Sequence, residues 1–472
     1  MDVLIKDLDY VATFDDDDNR LLQGASIGIT GPEITTVGKV DTPAEEAIVV
    51  IDGSGKIALP GFVNTHHHFF QQLTRAVPAV HCSSILDWLG YLYPIWAEVD
   101  EEAMRYATLL AGAQLLLTGC TTTSDMAYFY PHGRSRLIDV EIEAIQQLGM
   151  RFHPCRAGIP AMEGDLYDQL KGQGVPVDDL VEDPDSILSE CERVITAYHD
   201  PAEYSMCRVA IGQTDKAYRD PDFMRAMADL AERYDVLLHT HLHPRDDEVV
   251  LCQELHQMEP LDFMDETGWL GPRLWLAHAT GFSEAYVERV ARAEVGISHS
   301  PSSNMRLGYP VAPVPAMIAA GVKVSVGVDG GASNDTGDYV GELRQTMLVH
   351  RIAGIHPVPY GGSGAVTPHD VLQLGTRGGS AVLHRQDLGA LQVGRAADIA
   401  LFDLHRLDYA GALHDPLAAL VFCGESHRAD TTIVNGKVLV SGGRLTQMDE
   451  KEIAVGANRH AARLMQQAGV LH

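Results

Sequence analysis

Two histidines one residue apart, His66 and His68 in the run Asn64-Thr65-His66-His67-His68, follow the short apolar stretch ALPGFV. Residues two apart on an extended chain share a face, so both imidazoles can be offered to one cation while His67 points away. Such a pair is a weak signal by itself. It gains weight downstream, where His241 in LLHTHLH, His278 in LAHAT, His299 in SHSPSSN and Asp329 in VGVDGGASND each follow an apolar run in the same manner. Imidazole and carboxylate suit zinc, iron, cobalt or manganese, and a cation held by such a set acidifies bound water into a nucleophile near neutral pH. The alternative, a scatter of core histidines each satisfied by its own hydrogen bond, leaves their equivalent positions unexplained.

Those positions require elements that converge. Between residues 59 and 385 the sequence alternates apolar strand-like runs with helical stretches: ALPGFVNTHHH, TGCTTTSDM, MRFHPCRAG, YSMCRVAIGQ, DVLLHTHLH, RLWLAHAT, VGISHSPSS and VKVSVGVDGG. Eight such strands are the number that closes a parallel (β/α)8 barrel of the TIM type, whose active site lies at the carboxyl ends of its strands. The intervening DPDFMRAMADLAERY places Phe223, Met224, Met227, Leu230 and Ala231 on one helical face, as packing against a barrel requires. The two ends read differently. Residues 1–58 and 386–472 carry period-2 runs punctuated by Gly and Asp, ending in a helix near Lys451 to Gln467. The predicted fold class is therefore α/β, a barrel at 59–385 inserted into a small split β-sandwich domain formed by both termini.

Composition limits the partners. With 35 basic and 65 acidic residues the formal net charge of the 472-residue chain is −30, which disfavours nucleic acid and anionic membrane surfaces. The seven cysteines are scattered without CxxC spacing, a pattern expected of a reducing compartment and of neither a disulfide framework nor a thiolate zinc site. The N-terminus has no basic stretch leading into an apolar one, so a cytoplasmic location is expected. A small molecule is the expected partner. Arg156, ending the third strand, could bind a carbonyl or an anionic leaving group, or else form a salt bridge with Asp125. Trp88 and Tyr128 could wall a pocket or belong to the core, and Gln72 is a further polar candidate for substrate.

Nearly the whole chain resembles the amidohydrolase superfamily, of the kind that includes cytosine, guanine and 8-oxoguanine deaminases and s-triazine hydrolases. The motifs that carry the likeness are GKIALPGFVNTHHHFFQQLTRA, GCTTTSDM, LLHTH, WLAHAT, HSPSSNMRLG, VGVDGGASND and RGGSAVLHRQDLGALQVGRAADIALFD. The resemblance implies a metal-activated hydroxide, with His66, His68, His241 and Asp329 as metal ligands and Asp329 also taking the proton of the attacking water. It gives His278 the task of polarising substrate or binding a second metal. His299 either lines the pocket or holds the seventh loop. Members of the family are commonly homo-oligomers.

Two departures bear on the chemistry. Deaminases of this family carry His-x-x-Glu on the fifth strand, and counting from His241 brings Pro244 to the Glu position, where no proton can be carried. On the fourth strand, Lys216 stands where binuclear relatives carboxylate a lysine to bridge two cations. Two cations bring the pKa of bound water from about 15.7 towards about 7 and polarise a carbonyl, which makes a proton-shuttling Glu less necessary. The combination resembles phenylurea and thiocarbamate herbicide hydrolases. The expectation is a metal-dependent hydrolase of a C–N (or C–S) bond in a urea, carbamate, thiocarbamate or amide, with one or two divalent ions, zinc foremost, and Lys216 either carboxylated between them or an ordinary rim lysine paired with an acid such as Asp215. The alternative is an aminohydrolase of a heteroaromatic amine such as 8-oxoguanine, a pterin or a hydroxy-s-triazine.

Overall fold

A computed structural model describes residues 1–15, 21–39, 47–162, 164–175, 177–214, 217–244, 246–352, 366–424 and 427–470. Its first five strands, β1 (Val3–Ala12), β2 (Leu21–Thr30), β3 (Glu33–Gly38), β4 (Val49–Asp52) and β5 (Lys56–Pro60), belong to a sheet that the C-terminal region completes. The barrel strands follow as β6 (Phe62–Asn64), β7 (Cys120–Ala127), β8 (Arg151–Arg156), β9 (Ala210–Gln213), β10 (Leu238–Leu242), β11 (Leu274–His278), β12 (Gly296–His299) and β13 (Lys323–Val326). The remaining sheet strands are β14 (Ile399–Asp403), β15 (Thr431–Val434), β16 (Lys437–Ser441) and β17 (Arg444–Leu445).

The terminal sheet runs in the order β17-β16-β15-β14-β5-β1-β2-β3, with β4 pairing on β1. Its two halves meet where β14 lies antiparallel to β5, Ile399 opposite Pro60. Alternate residues of the N-terminal strands, among them Val3, Ile5, Ile27 and Ile29, share one apolar cluster with Ile399, Leu401 and Ile433. That shared core is the reason the two ends of the chain must fold together.

In the second sheet, β6 to β13 are neighbours in chain order and all parallel. The first and last strands are joined by hydrogen bonds from Thr65 N–H to the Val326 carbonyl (3.4 Å) and from Asp329 N–H to the His66 carbonyl (3.1 Å), which brings the eight strands into a barrel. Parallel barrel strands are covered on both faces, and every residue of β7 and β8 is buried, Asp125, Arg151, His153 and Arg156 included. The helix Pro221–Tyr234 buries Phe223, Met224, Met227, Leu230 and Ala231, the face that its spacing predicts, and Asp220 caps it by accepting the Phe223 N–H at 2.9 Å. The last helix, Glu450–Gln467, packs on the barrel helix Glu101–Leu117, where Arg463 meets Asp100 at 2.5 and 2.7 Å. Among the described residues no helix is long and apolar enough to cross a membrane, and all seven cysteines are free.

Candidate metal centre

His66 and His68 lie just beyond the end of β6, on a chain that stays extended. Asp329 donates its N–H to the His66 carbonyl (3.1 Å) from one side, and Met126 donates to the His67 carbonyl (2.9 Å) from the other. The alternation of a strand is thus maintained through the histidine run. His67 turns away and packs on Phe69 at 4.9 Å, accepting the His68 N–H on Nδ1 at 2.8 Å. His66 and His68 turn inward, joined by His241 from β10, His278 at the end of β11 and Asp329 three residues beyond β13.

The inward atoms are close together. His68 Nε2 is 3.1 Å from His241 Nε2, and Asp329 Oδ1 is 3.4 Å from His66 Nε2 and 3.5 Å from His68 Nε2. A tetrahedral cation with ligand bonds of ~2.1 Å has edges of roughly 3.4 Å, the scale of these separations. His278 Nε2 stands slightly farther off, 3.8 Å from Asp329 Oδ2. His66 Nε2 is buried without a hydrogen-bond partner among the described residues, an orphan that a cation would satisfy. The residues present therefore fit a divalent metal.

Two features of the backbone make the approach possible. His278 and Asp329 both adopt left-handed conformations, with φ of 72° and 63°, unusual for residues with a Cβ and characteristic of strained functional turns. Gly327 lets β13 close on the histidine run, since a Cβ there would lie 2.7 Å from the His66 Cβ and 2.9 Å from its nitrogen.

Outer partners fix the rings. His68 Nδ1 donates to the Met126 carbonyl at 3.0 Å and His278 Nδ1 to Asn304 Oδ1 at 2.9 Å, so in each the inner Nε2 carries the lone pair. Burial, reinforced by the neighbouring imidazoles, pushes the His68 pKa down to about 3 and that of His241 well below the ordinary histidine range. Burial alone would raise Asp329, but the surrounding His66, His278 and His68 hold its carboxyl well below the usual range. The lowered pKa values of His68 and His241 and that of Asp329 favour the neutral imidazoles and the anionic carboxylate that a cation requires. His239, two residues before His241, also turns into the barrel, with its Nε2 2.9 Å from His66 Nδ1. The sequence reading did not single it out, although LLHTHLH puts it on the same face of the strand as His241.

The other residues singled out in the sequence are dispersed. Tyr128 meets the His68 ring edge-on at 5.1 Å. Gln72 is buried with its Nε2 3.4 Å from His67 Nε2, against the Asp329–Gly331 turn. Trp88 packs on Trp96 at 5.3 Å and donates its indole N–H to the Ala332 carbonyl at 3.3 Å. His299 lies tilted against His350 at 5.3 Å, and among the described residues neither of its ring nitrogens has a hydrogen-bond partner. Arg156 is fully buried. Its guanidinium lies over the Tyr130 ring at 3.8 Å and pairs with Glu182 at 2.6 and 3.2 Å, in place of the Asp125 partner that the sequence suggested. Lys216 lies outside the described residues. At the fifth strand, Pro244 follows His243, whose ring is stacked between His278 (4.4 Å) and Tyr309 (4.5 Å) with Nδ1 2.8 Å from Thr280 Oγ1. Glu248, the next carboxylate with a described side chain, accepts the Tyr218 hydroxyl at 2.7 Å.

Comparison with known proteins agrees with this geometry. The family model described as "Amidohydrolase family" matches residues 57–439. The chain is 38% identical to 8-oxoguanine deaminase of Pseudomonas aeruginosa over 432 residues, 92% of each chain. It is 36% identical to hydroxydechloroatrazine ethylaminohydrolase of Pseudomonas sp. (strain ADP), covering 92% of this chain and 88% of that one. Among solved structures, atrazine chlorohydrolase TrzN from Arthrobacter aurescens TC1, complexed with zinc, superposes with a TM-score of 0.89 at 34% identity, covering 97% of this chain and 100% of that one. A His-rich, carboxylate-bearing centre at the strand ends of such a barrel makes the chain a member of the amidohydrolase family, a metal-dependent hydrolase acting on carbon–nitrogen bonds.

Proposed function

We propose that this chain hydrolyses the exocyclic C–N bond of a planar, oxygen-bearing nitrogen heterocycle, of the oxopurine, pterin or hydroxy-s-triazine kind, and releases ammonia or an amine. The observation that supports this best is the pair of overlapping donor clusters, His66 with His68 and His241 and His66 with His278 and Asp329, in a chain 38% identical to an 8-oxoguanine deaminase. These four residues would hold the cation. When bound, it supplies Lewis acidity that brings the pKa of water towards neutrality.

The chain's own groups manage the protons. Asp329, kept anionic, accepts a proton from the attacking water on Oδ2, the oxygen facing His278 Nε2 at 3.8 Å. His278, held by Asn304, takes that proton and delivers it to the leaving nitrogen. A C–O bond forms as the C–N bond breaks, and the nitrogen departs as the neutral amine. Tyr128, beside His68, offers an aromatic wall to a planar ring. Gln72 lies against the turn after Asp329, whereas Trp88, Arg156 and His299 are buried in packing contacts. Asp329→Asn is expected to lower kcat by at least ~100-fold.

Pro244 favours a second reading. With no carboxyl group there to protonate a ring nitrogen, an acyclic urea, carbamate, thiocarbamate or amide is a less demanding substrate, served by two cations and a carboxylated Lys216. Purified protein assayed against 8-oxoguanine, isocytosine, hydroxyatrazine, phenylureas and thiocarbamates, alongside metal analysis, separates the two. Ammonia or alkylamine release from the heterocycles with one ion per chain is expected. Turnover confined to ureas or thiocarbamates, with two ions and loss of activity in Lys216→Ala, overturns the first reading in favour of the second.

A further inference from the structure

His66 differs from His68 and His278 in how its outer nitrogen is held. Those two reach a carbonyl oxygen directly, of Met126 and of Asn304. His66 reaches one through a second imidazole: its Nδ1 is 2.9 Å from His239 Nε2, and His239 Nδ1 is 2.9 Å from the Trp275 carbonyl. A carbonyl oxygen only accepts, so the proton of His239 sits on Nδ1. In a neutral imidazole the other nitrogen is then an acceptor, and His239 Nε2 takes the hydrogen bond from His66 Nδ1–H. The lone pair of His66 is left on Nε2, the buried, unpartnered atom that faces Asp329 Oδ1 at 3.4 Å.

The relay is mechanically fixed as well as electronically directed. The His239 ring lies flat on the Trp275 indole, centroids 4.1 Å apart and planes 10° from parallel. The indole N–H of Trp275 donates in turn to the carbonyl of Thr65, the residue before His66, at 3.1 Å. One tryptophan therefore grips the backbone leading into His66 and, through His239, its ring. His239 is fully buried, and among the described residues its two nitrogens take part only in this chain of hydrogen bonds.

We infer that His239 is a positioning residue that fixes the tautomer of His66 and thereby sets the affinity of the centre for a divalent cation, an inference that rests on the reading of His66 as a metal donor. Outer partners of this sort typically change metal affinity by ~10–100-fold when removed. His239→Phe keeps an aromatic ring against Trp275 but breaks both hydrogen bonds. His239→Gln can restore them, its amide oxygen accepting from His66 and its NH2 donating to the Trp275 carbonyl.

The test is zinc titration of the metal-free proteins in competition with a chromophoric chelator, with the visible spectrum of the cobalt-loaded forms as a second readout. His239→Phe is expected to bind zinc ~10–100-fold more weakly and to alter the cobalt spectrum, His239→Gln to recover most of the affinity, and His239→Phe to add nothing further in a His66→Ala background. Zinc affinity within about twofold of wild type in folded His239→Phe overturns the relay, for an effect of this class should be ~10-fold or more. Should that variant fail to fold, nitrogen NMR of histidine-labelled wild-type protein decides: a proton on His66 Nδ1 supports the relay, and one on Nε2 overturns it. Undiminished zinc affinity in His66→Ala overturns the donor reading itself, an outcome distinct from loss of binding in His66→Ala with none in His239→Phe.

Discussion

Asp329 approaches His66 twice: its main-chain N–H donates to the His66 carbonyl at 3.1 Å, and its carboxylate Oδ1 stands 3.4 Å from His66 Nε2. The first contact joins the last barrel strand to the first, and the second forms one edge of the candidate metal centre. Closure of the fold and construction of the site thus share a single pair of residues.

A cation at this seam should stabilise the whole barrel. Binding confined to the native state contributes about 4 kcal/mol when free metal exceeds its Kd by ~1,000-fold. Removing metal with a chelator is expected to lower the thermal unfolding midpoint by several degrees, reversibly on adding zinc. In Asp329→Asn most of that metal-dependent shift should vanish. Calorimetry giving identical midpoints for stripped and reloaded wild-type protein would sink the idea that the ion joins the two strands.

Arg156 gives a contrasting case, a cation whose work is internal. Its side chain is fully buried, lies on Tyr130 and binds Glu182 through two nitrogens. Removing one member of a buried ion pair leaves the other charge uncompensated, at a cost of about 3–5 kcal/mol. Arg156→Met should therefore lower stability in urea by that order while the KM of the surviving folded enzyme stays at the wild-type value. A raised KM with unchanged stability would restore the guanidinium to the substrate.

Arg156 also marks where the sequence ceased to be legible. The strand-end histidines could be read because period-2 spacing and recurrence after apolar runs are local properties, and the structure brings His66 close to His68 and His241 on one side and to His278 and Asp329 on the other. The partner of Arg156 lies 26 residues along, beyond the strand that carries it, and nothing local distinguishes Glu182 from Asp125. His239 escaped for a similar reason: a histidine within an apolar strand reads as core until the ring of His66 is seen 2.9 Å away. The left-handed backbone at His278 and Asp329 leaves no mark at all, since neither residue is a glycine.

Glu342 should impose a pH dependence on stability. It is buried with one oxygen accepting the Ser302 N–H at 2.9 Å and the other the Asn334 amide at 3.1 Å. Burial pushes its pKa up to about 7 from 4.5, against the pull of those hydrogen bonds. Because the folded state holds this proton more tightly, the favourable contribution is full below about pH 4.5 and is lost as pH rises through about 7. Glu342→Gln cannot ionise. Relative to wild type it should gain about 2.5 kcal/mol between pH 5 and pH 8. Any mismatch of the new amide with Asn334 shifts both pH values alike, so the change in the difference is the quantity to measure by denaturant titration. A difference that does not vary with pH would mean that Glu342 is already ionised in the native protein at pH 5.

Pro244 offers a test by gain of function. It occupies the place where deaminases of this family are expected to carry the carboxylate of His-x-x-Glu, and the ring of the preceding His243 is stacked between His278 and Tyr309. In the proposed reaction the leaving nitrogen receives its proton from Asp329 by way of His278, a route with no second carboxyl group to protonate the ring. Pro244→Glu would supply one at the end of the strand that carries His241. A correctly placed general acid contributes ~10²–10⁴-fold in rate, so even imperfect placement should raise kcat for ammonia release from an oxopurine by an order of magnitude or more. Hydrolysis of an acyclic urea or carbamate, which has no ring nitrogen to protonate, should be unchanged or slowed by the lost proline. The informative quantity is the ratio of the two rates measured in one preparation, because misfolding depresses both together. A ratio that stays constant while the protein remains folded would mean that position 244 does not face the reacting atoms, and that Pro244 is part of the turn and no substitute for a lost acid.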